Sequence, residues 1–309
     1  MQMRVSEEHV THPDTAFRFL ALEQRSFGGP RHRHDQIELT WVLRGRGVRF
    51  VGDSAEPFHD GDLVLLGPQV PHLWAGQAGD DEPPFQARVL QFPQALLASP
   101  LWPELHAARP LMARARRGLR VAGQAHAPVA AALQAMDTAD ALQRLSLFVL
   151  VLRALMQHGR SLKPLSAAVL RGPSSSGGWG ADKAGRVDRA AANERGDQAD
   201  QAEWAGTARI DRVIGWIHAH LAEPLYVEDA ARVAHISPAA FSRFFRRETG
   251  KTWTTYLNDV RCSEAAVRLR GSTRPVAEIA HDCGYPTLSH FNRAFAARFH
   301  QTPSRYRRG

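Results

Sequence analysis

The chain lacks the features of a secreted or membrane-embedded protein. Its 309 residues contain no run of about eighteen apolar residues, so no membrane-crossing helix is expected. The most apolar stretch, 142–156, is interrupted by Gln143, Arg144, Ser146 and Arg153. The opening Met1-Gln-Met-Arg-Val-Ser-Glu-Glu has no apolar core, which predicts no secretory leader. Cysteine is scarce too: Cys262 and Cys283 form no CxxC clip and are too few for a disulfide framework. A reducing cytoplasm is the expected setting, with both thiols read as small buried side chains. Acid is in short supply in the last third. Residues 207–309 hold 16 basic against 9 acidic side chains, and the whole chain carries a net +8. A basic third on a near-neutral remainder suits a polyanion partner, although solvated basic faces are common.

Apolar residues make up 44 % of the chain, and its length allows two domains. Residues 1–100 read as short strands, centred on 17–22, 37–43, 47–51, 63–66 and 85–92. Gly, Pro and Asp separate them, as in Arg44-Gly-Arg-Gly and Asp60-Gly-Asp. Short strands with close turn signals suggest a sandwich or barrel. Residues 101–170 turn helical, most clearly at 129–136 and 141–158. In the second piece Leu142, Leu145, Phe148, Val149, Leu152, Leu155 and Met156 recur at helical spacing, and Leu147, Leu150 and Val151 widen the stripe. A helix apolar on most sides must be covered on most sides, by its own domain or by a second subunit, and a homodimer is expected here. Residues 171–206, with Gly, Ser and polar residues and almost no large aliphatics, read as a flexible linker between separate domains.

The stretch 227–308 says the same thing twice. Phe241, Arg243, Phe245, Thr252 and Tyr256 return fifty residues later as Phe291, Arg293, Phe295, Thr302 and Tyr306. Each copy has the grammar of a helix-turn-helix: a short helix, 227–234 or 276–283, a turn, and a longer second helix. Ser237 caps the first long helix with Pro238 at its first position, and Gly250 ends it. Thr287 caps the second, which runs to about Phe299. At about 100° per residue, Phe241, Phe244 and Phe245 fall on one side and Ala239, Ser242, Arg243 and Arg246 on the other. Phe291 and Phe295 likewise oppose Ser289, Asn292, Arg293 and Ala296. Arg pairs with guanine and Asn with adenine in a major groove, while a lone arginine serves equally as a phosphate contact.

The pattern Ile279-Ala280-xxx-Gly284-Tyr285-xxx-Ser289-x-Phe291-x-Arg293-x-Phe295, followed by Thr302-Pro303-xx-Tyr306-Arg307, resembles the signature of the AraC/XylS family of transcription regulators. The resemblance covers residues 208–308. It implies two helix-turn-helix units joined by a long helix, here 254–269, that enter successive major grooves of double-stranded DNA. By position it assigns base contacts to Ala239, Ser242 and Arg243, then Leu288, Ser289, Asn292 and Arg293. It also implies RNA polymerase as a partner. Two positions depart from the pattern: His300 replaces the glycine that ends the second reading helix, and Trp253 stands where proline is frequent.

His32-x-His34-xxx-Glu38-xxxxxx-Gly45 resembles the first cupin motif, and Gly61, Gly67, Pro68 and His72 resemble the second. Residues 32, 34 and 38 share parity, so on extended chain they share a face. Three imidazoles and a carboxylate suit Fe, Mn, Ni, Cu or Zn. The leading reading of the same residues is hydrogen bonding to an effector without metal, ahead of a metal-assisted pocket and a structural role, and Trp41 and Trp74 are candidate walls. The expected fold is therefore two domains: a cupin-like β-barrel with helices, then an all-α double helix-turn-helix over 207–309. The expected function is a transcription regulator, without catalytic residues, controlled by a small molecule in the barrel. Its rivals are a metal-dependent cupin oxygenase or isomerase with a DNA-binding tail, and a constitutive architectural protein.

Overall fold

Successive side chains of each strand in the N-terminal half point to opposite faces, and both faces are used. The computed structural model describes residues 16–27, 31–77, 82–166, 209–210 and 212–308. The expected linker, 171–206, lies outside the described residues. Strands β1 (Arg18–Gln24), β2 (Ser26–Phe27), β3 (Gln36–Arg44), β4 (Gly47–Val51), β5 (Ser54–Phe58), β6 (Leu63–Leu66), β7 (His72–Gln77), β8 (Phe85–Pro93), β9 (Leu119–Arg120) and β10 (Lys163–Pro164) build two antiparallel sheets. One runs β1-β8-β3-β6-β9-β10 and the other β2-β7-β4-β5. On β3, Val42 joins an inner core with Val51, Phe58, Val64, Leu66, Trp74 and Phe85. Ile37 and Leu39, one residue out of phase, instead pack on the helical layer.

That layer is α1 (Arg109–Ala115), α2 (His126–Ala135) and α3 (Ala141–Gln157). Asp140 and Gln143 cap α3 reciprocally, so its start is defined by side chain as well as backbone. Phe148, Val151, Leu152 and Leu155 are buried, whereas Leu142, Val149, Leu150 and Met156 remain exposed. Residues 101–170 are less purely helical than expected. β9 and β10 extend the barrel sheet, with Val64 paired to Arg120 and Lys163 to Arg120. Two-residue strands carry no detectable period, so the sequence does not announce them.

The C-terminal half is helical: α4 (209–210 and 212–219), α5 (Val227–Val233), α6 (Pro238–Thr249), α7 (Trp253–Gly271), α8 (Val276–Asp282), α9 (Leu288–Phe299) and α10 (Pro303–Arg308). The expected caps are present. Ser237 Oγ accepts from Ala240 N–H at 3.3 Å, and Thr287 Oγ1 from His290 N–H at 3.2 Å. Gly250 ends α6 at φ 72°, and His300 ends α9 in the same left-handed region at φ 57°. The departure at His300 therefore leaves the helix end intact. Trp253 opens α7, is buried, and meets Phe241 and Phe245 edge-on at 5.6 and 5.5 Å.

The two halves pack against each other. Val48, Phe50, Ala55 and Leu73 of the barrel share one core with Val213, Ile214, Ile217 and Val260 of α4 and α7. Ser263 Oγ on α7 donates to Ala55 O at 2.8 Å across this seam. The sequence gives no sign of it, because the outward apolar residues of β4 and β7 are indistinguishable from ordinary core alternation.

Candidate functional site

Two regions gather the residues singled out from sequence. The first is the pair of reading helices. Phe241, Phe244 and Phe245 of α6, and Phe291 and Phe295 of α9, are buried. That burial turns Ala239, Ser242, Arg243 and Arg246, and Leu288, Ser289, Asn292 and Arg293, to the surface, where all eight are exposed. α7 lies between the two units and is a core element of both. Tyr256, Leu257 and Val260 belong to the first core, and Cys262, Ala265, Ala266 and Leu269 to the second. The basic surplus of this half is carried on exposed arginines such as Arg243, Arg246, Arg293 and Arg308. Burial pushes the Cys262 thiol up to about 11 and the Cys283 thiol to about 12, so both stay protonated and behave as small core residues.

The second region lies inside the barrel. His34, Glu38 and His72 are buried and His32 half-buried, with a backbone bridge joining His32 to His72. Candidate ligand nitrogens of His32, His34 and His72 all lie within 4.8 Å of one another. Glu38 is held by Thr40, whose hydroxyl donates at 2.6 Å, and by the Gln91 amide at 2.9 Å. Sequence reading missed Thr40 and Gln91. Thr40 shares the parity of Glu38, and Gln91 is a polar residue in an apolar strand, so both signals were present. Burial works to raise the Glu38 pKa. The opposing influence of His72, the hydrogen bond and charge of His34, and the hydrogen bond from Thr40 hold the carboxyl well below its usual range.

His72 Nδ1–H donates to Val70 O at 2.8 Å. That bond fixes the tautomer and leaves the Nε2 lone pair facing inward, buried and without a hydrogen-bond partner among the described residues. Burial pushes the His72 pKa down to about 3, so the ring stays neutral and keeps the lone pair available. His34 sits between two acceptors, Gln36 O at 3.2 Å from Nδ1 and Glu38 Oε2 at 2.9 Å from Nε2. A neutral imidazole can satisfy only one of them. An orphaned nitrogen, a histidine between two acceptors and a carboxylate oriented by its own donors form a donor set that fits a divalent transition metal. Trp74 flanks His72 at 5.8 Å between ring centroids. Trp41 does not line this site, because its odd parity turns it to the helical layer.

Residues 18–83 match the cupin domain family, and residues 230–309 match a helix-turn-helix domain family. Regulatory protein SoxS of Escherichia coli strain K12 is 38 % identical over 98 residues, covering 32 % of this chain and 92 % of SoxS. The chain belongs to the AraC family of transcription regulators. The right origin-binding protein of Escherichia coli strain K12, 37 % identical over 93 residues, is matched over 32 % of its own length and 30 % of this chain. Among solved structures, the C-terminal domain of AraT, a response regulator from Geobacillus stearothermophilus, aligns at a TM-score of 0.31 and 31 % identity, over 32 % of this chain and 84 % of that one. This AraC-family chain thus joins a DNA-binding helix-turn-helix half to a cupin half. Among its described residues no helix is long and apolar enough to cross a membrane.

Proposed function

We propose that this protein is a sequence-specific transcription regulator whose affinity for DNA is set by a small molecule bound in its barrel, and that it acts without substrate turnover. The observation that carries the reading is the pair of exposed polar faces on α6 and α9, held by buried phenylalanines and left uncovered by the barrel. Ala239, Ser242, Arg243 and Arg246 form the first face, and Leu288, Ser289, Asn292 and Arg293 the second. Arg243 and Arg293 are suited to guanine, Asn292 to adenine, and Ala239 and Leu288 to a thymine methyl. The faces differ, so the two heads read different bases and the half-site is asymmetric.

His32, His34, Glu38 and His72 form the barrel site. The inward lone pair of His72 favours a divalent transition metal as part of it, held by the three imidazoles with Glu38 beside them. Such a metal supplies a Lewis-acid anchor for an oxygen or nitrogen donor on the effector. The effector must bind one arrangement of the two halves better than another to alter DNA affinity.

Genome-wide mapping of bound DNA defines the operator, and gel-shift titration then tests the reading face. Arg293→Ala is expected to weaken operator binding by roughly tenfold or more, in line with about 1–3 kcal/mol per bidentate base contact. Unchanged affinity would remove Arg293 from the face. Elemental analysis of the purified chain checks the barrel: bound metal in the wild type and its loss in His72→Ala are expected. A metal-free wild type would leave an effector held by hydrogen bonds alone. Metal together with turnover would favour the cupin-enzyme alternative.

A further inference from the structure

The C-terminal third is not the only basic part of the chain. Residues 105–166 hold nine Lys and Arg against two acids, Asp137 and Asp140. Both acids are engaged, Asp137 with Arg88 and Asp140 as the cap of α3. The near-neutral total of the N-terminal half therefore conceals a strongly basic layer.

The fold gathers six of these cations at one edge of the barrel sheet. The Arg114 guanidinium donates to Gly159 O at 2.8 Å and to Leu162 O at 3.2 Å, which holds it against the segment carrying Arg160 and Lys163. Arg117 donates through Nε to Ser166 O at 2.9 Å. Arg120 of β9 is the cross-strand partner of Lys163 of β10, and Arg116 lies between α1 and β9. All are exposed except Arg117, which is half-buried. None of the six has an acidic partner among the described residues. Asp53 approaches through Ser166, whose hydroxyl donates to it, but Asp53 is buried. Like charges directly opposite on paired strands are destabilising, so the Arg120–Lys163 pair carries a cost that a bound polyanion relieves.

Two observations select the polyanion. First, none of the exposed large apolar side chains of the described residues falls within 114–120 or 159–166. Protein interfaces are built around apolar and aromatic anchors, whereas a phosphate backbone needs only cations. Second, the edge adjoins the DNA-binding half. Arg120 lies across the barrel rim from Arg270 of α7 and Tyr306 of α10. Tyr306 packs on Phe295 and Phe299 of α9 at 5.3 and 5.0 Å, and α10 exposes Arg305 and Arg308. The acids bordering this path are occupied: Asp60 accepts from Gly45 N–H, and Glu82 pairs with Arg46. A basic surface thus runs from the second helix-turn-helix unit onto the barrel sheet.

We propose that this edge of the cupin half, centred on Arg116, Arg120 and Lys163, contacts the phosphate backbone of the duplex flanking the site read by α9. It supplies affinity without sequence information, which phosphate contacts do not carry. Once α6 and α9 are seated the flanking duplex is tethered, so a weak contact gains from a high effective concentration. The proposal rests on the DNA reading of α6 and α9 given above.

The test uses the full chain and three duplexes: the operator alone at about 20 base pairs, spanning two successive major grooves, and the operator lengthened by about 15 base pairs on the α9 side or on the α6 side. At about 50 mM salt the α9-side extension is expected to tighten binding at least about tenfold, and to steepen the fall of log affinity with log salt by about 0.9 for each added phosphate contact. The triple variant Arg116→Gln, Arg120→Gln, Lys163→Gln should bind the short duplex like the wild type and lose the gain from length. All three side chains are exposed, so its thermal unfolding should match the wild type. A short duplex bound as tightly as the long one, an equal gain from either side, or a variant that keeps the gain would each overturn the proposal and leave the reading helices standing. A variant that keeps the gain but loses transcription with purified RNA polymerase would assign the edge to an acidic protein surface instead. A wild type that binds none of the duplexes would sink the reading of α6 and α9 and the flanking contact with it.

Discussion

His300 occupies left-handed backbone at φ 57°, the conformation that Gly250 takes at the matching end of α6. A side chain with Cβ pays roughly 1–2 kcal/mol to sit there, and glycine does not. His300→Gly is therefore expected to stabilise the C-terminal half by about 1 kcal/mol, read as a raised denaturant midpoint with unchanged slope. An unchanged or lowered midpoint would mean that the imidazole makes a contact offsetting the strain. At the same scale, the barrel cluster shows how much side-chain chemistry a spacing conveys. His32, His34, Glu38 and His72 were legible as a group, because parity alone places the first three on one face. The inward lone pair of His72 was not, since it follows from the Val70 carbonyl accepting from Nδ1. That bond is a matter of local backbone geometry rather than residue type.

α3 carries the clearest unfinished surface among the elements. Leu142, Val149 and Met156 recur at intervals of seven with Leu150 beside them, and all four are exposed while the opposite face is buried. Seven-residue spacing is the seam of two helices packed side by side, and a second copy of α3 supplies a matching seam. Val149→Glu is expected to convert a dimer into a monomer in multi-angle light scattering, with the barrel still folded by circular dichroism. A wild type that is monomeric at micromolar concentration would refute this use of the stripe. The elements themselves were largely readable. α6 begins at Pro238 and α9 ends at Phe299 as the caps imply, and β4 spans Gly47–Val51 as its apolar run suggests. β5 and β9 were not readable. Ser54-Ala-Glu-Pro-Phe58 contains a proline and two polar residues and becomes a strand because β4 pairs along its length. Leu119–Arg120 is a strand only because β6 and β10 are there to receive it.

At the scale of the whole molecule, the sheet β2-β7-β4-β5 is a wall common to both halves. Along β7, His72 and Trp74 belong to the barrel interior while Leu73 packs against the helices. Along β4, Phe50 meets His218 of α4 edge-on at 3.9 Å. Arg298 of α9 reaches the same wall, 3.5 Å from Ala55 O and 3.9 Å from Glu56, so the second reading helix touches the barrel directly. Burial at this seam, with Arg31 nearby, pushes the His218 pKa down to about 3. In the unfolded chain the ring titrates near 6.5. The unfolded or undocked state then takes up the proton first as acid is added. Stability from His218 is complete above about pH 6.5 and is lost as pH falls towards 3, by up to about 1.4 kcal/mol per pH unit. His218→Phe is expected to flatten the fall in melting temperature between pH 6.5 and 5 relative to wild type. Equal slopes would show that the seam stays neutral for another reason. Strand alternation in the wall has one more result, for how such a protein diversifies. His72 and Trp74 of β7 face the barrel interior, and Leu73 and Ala75 face the helical half. A lineage can therefore change the first pair, and with it the chemistry of the barrel interior, while the second pair preserves the joint between barrel and helices.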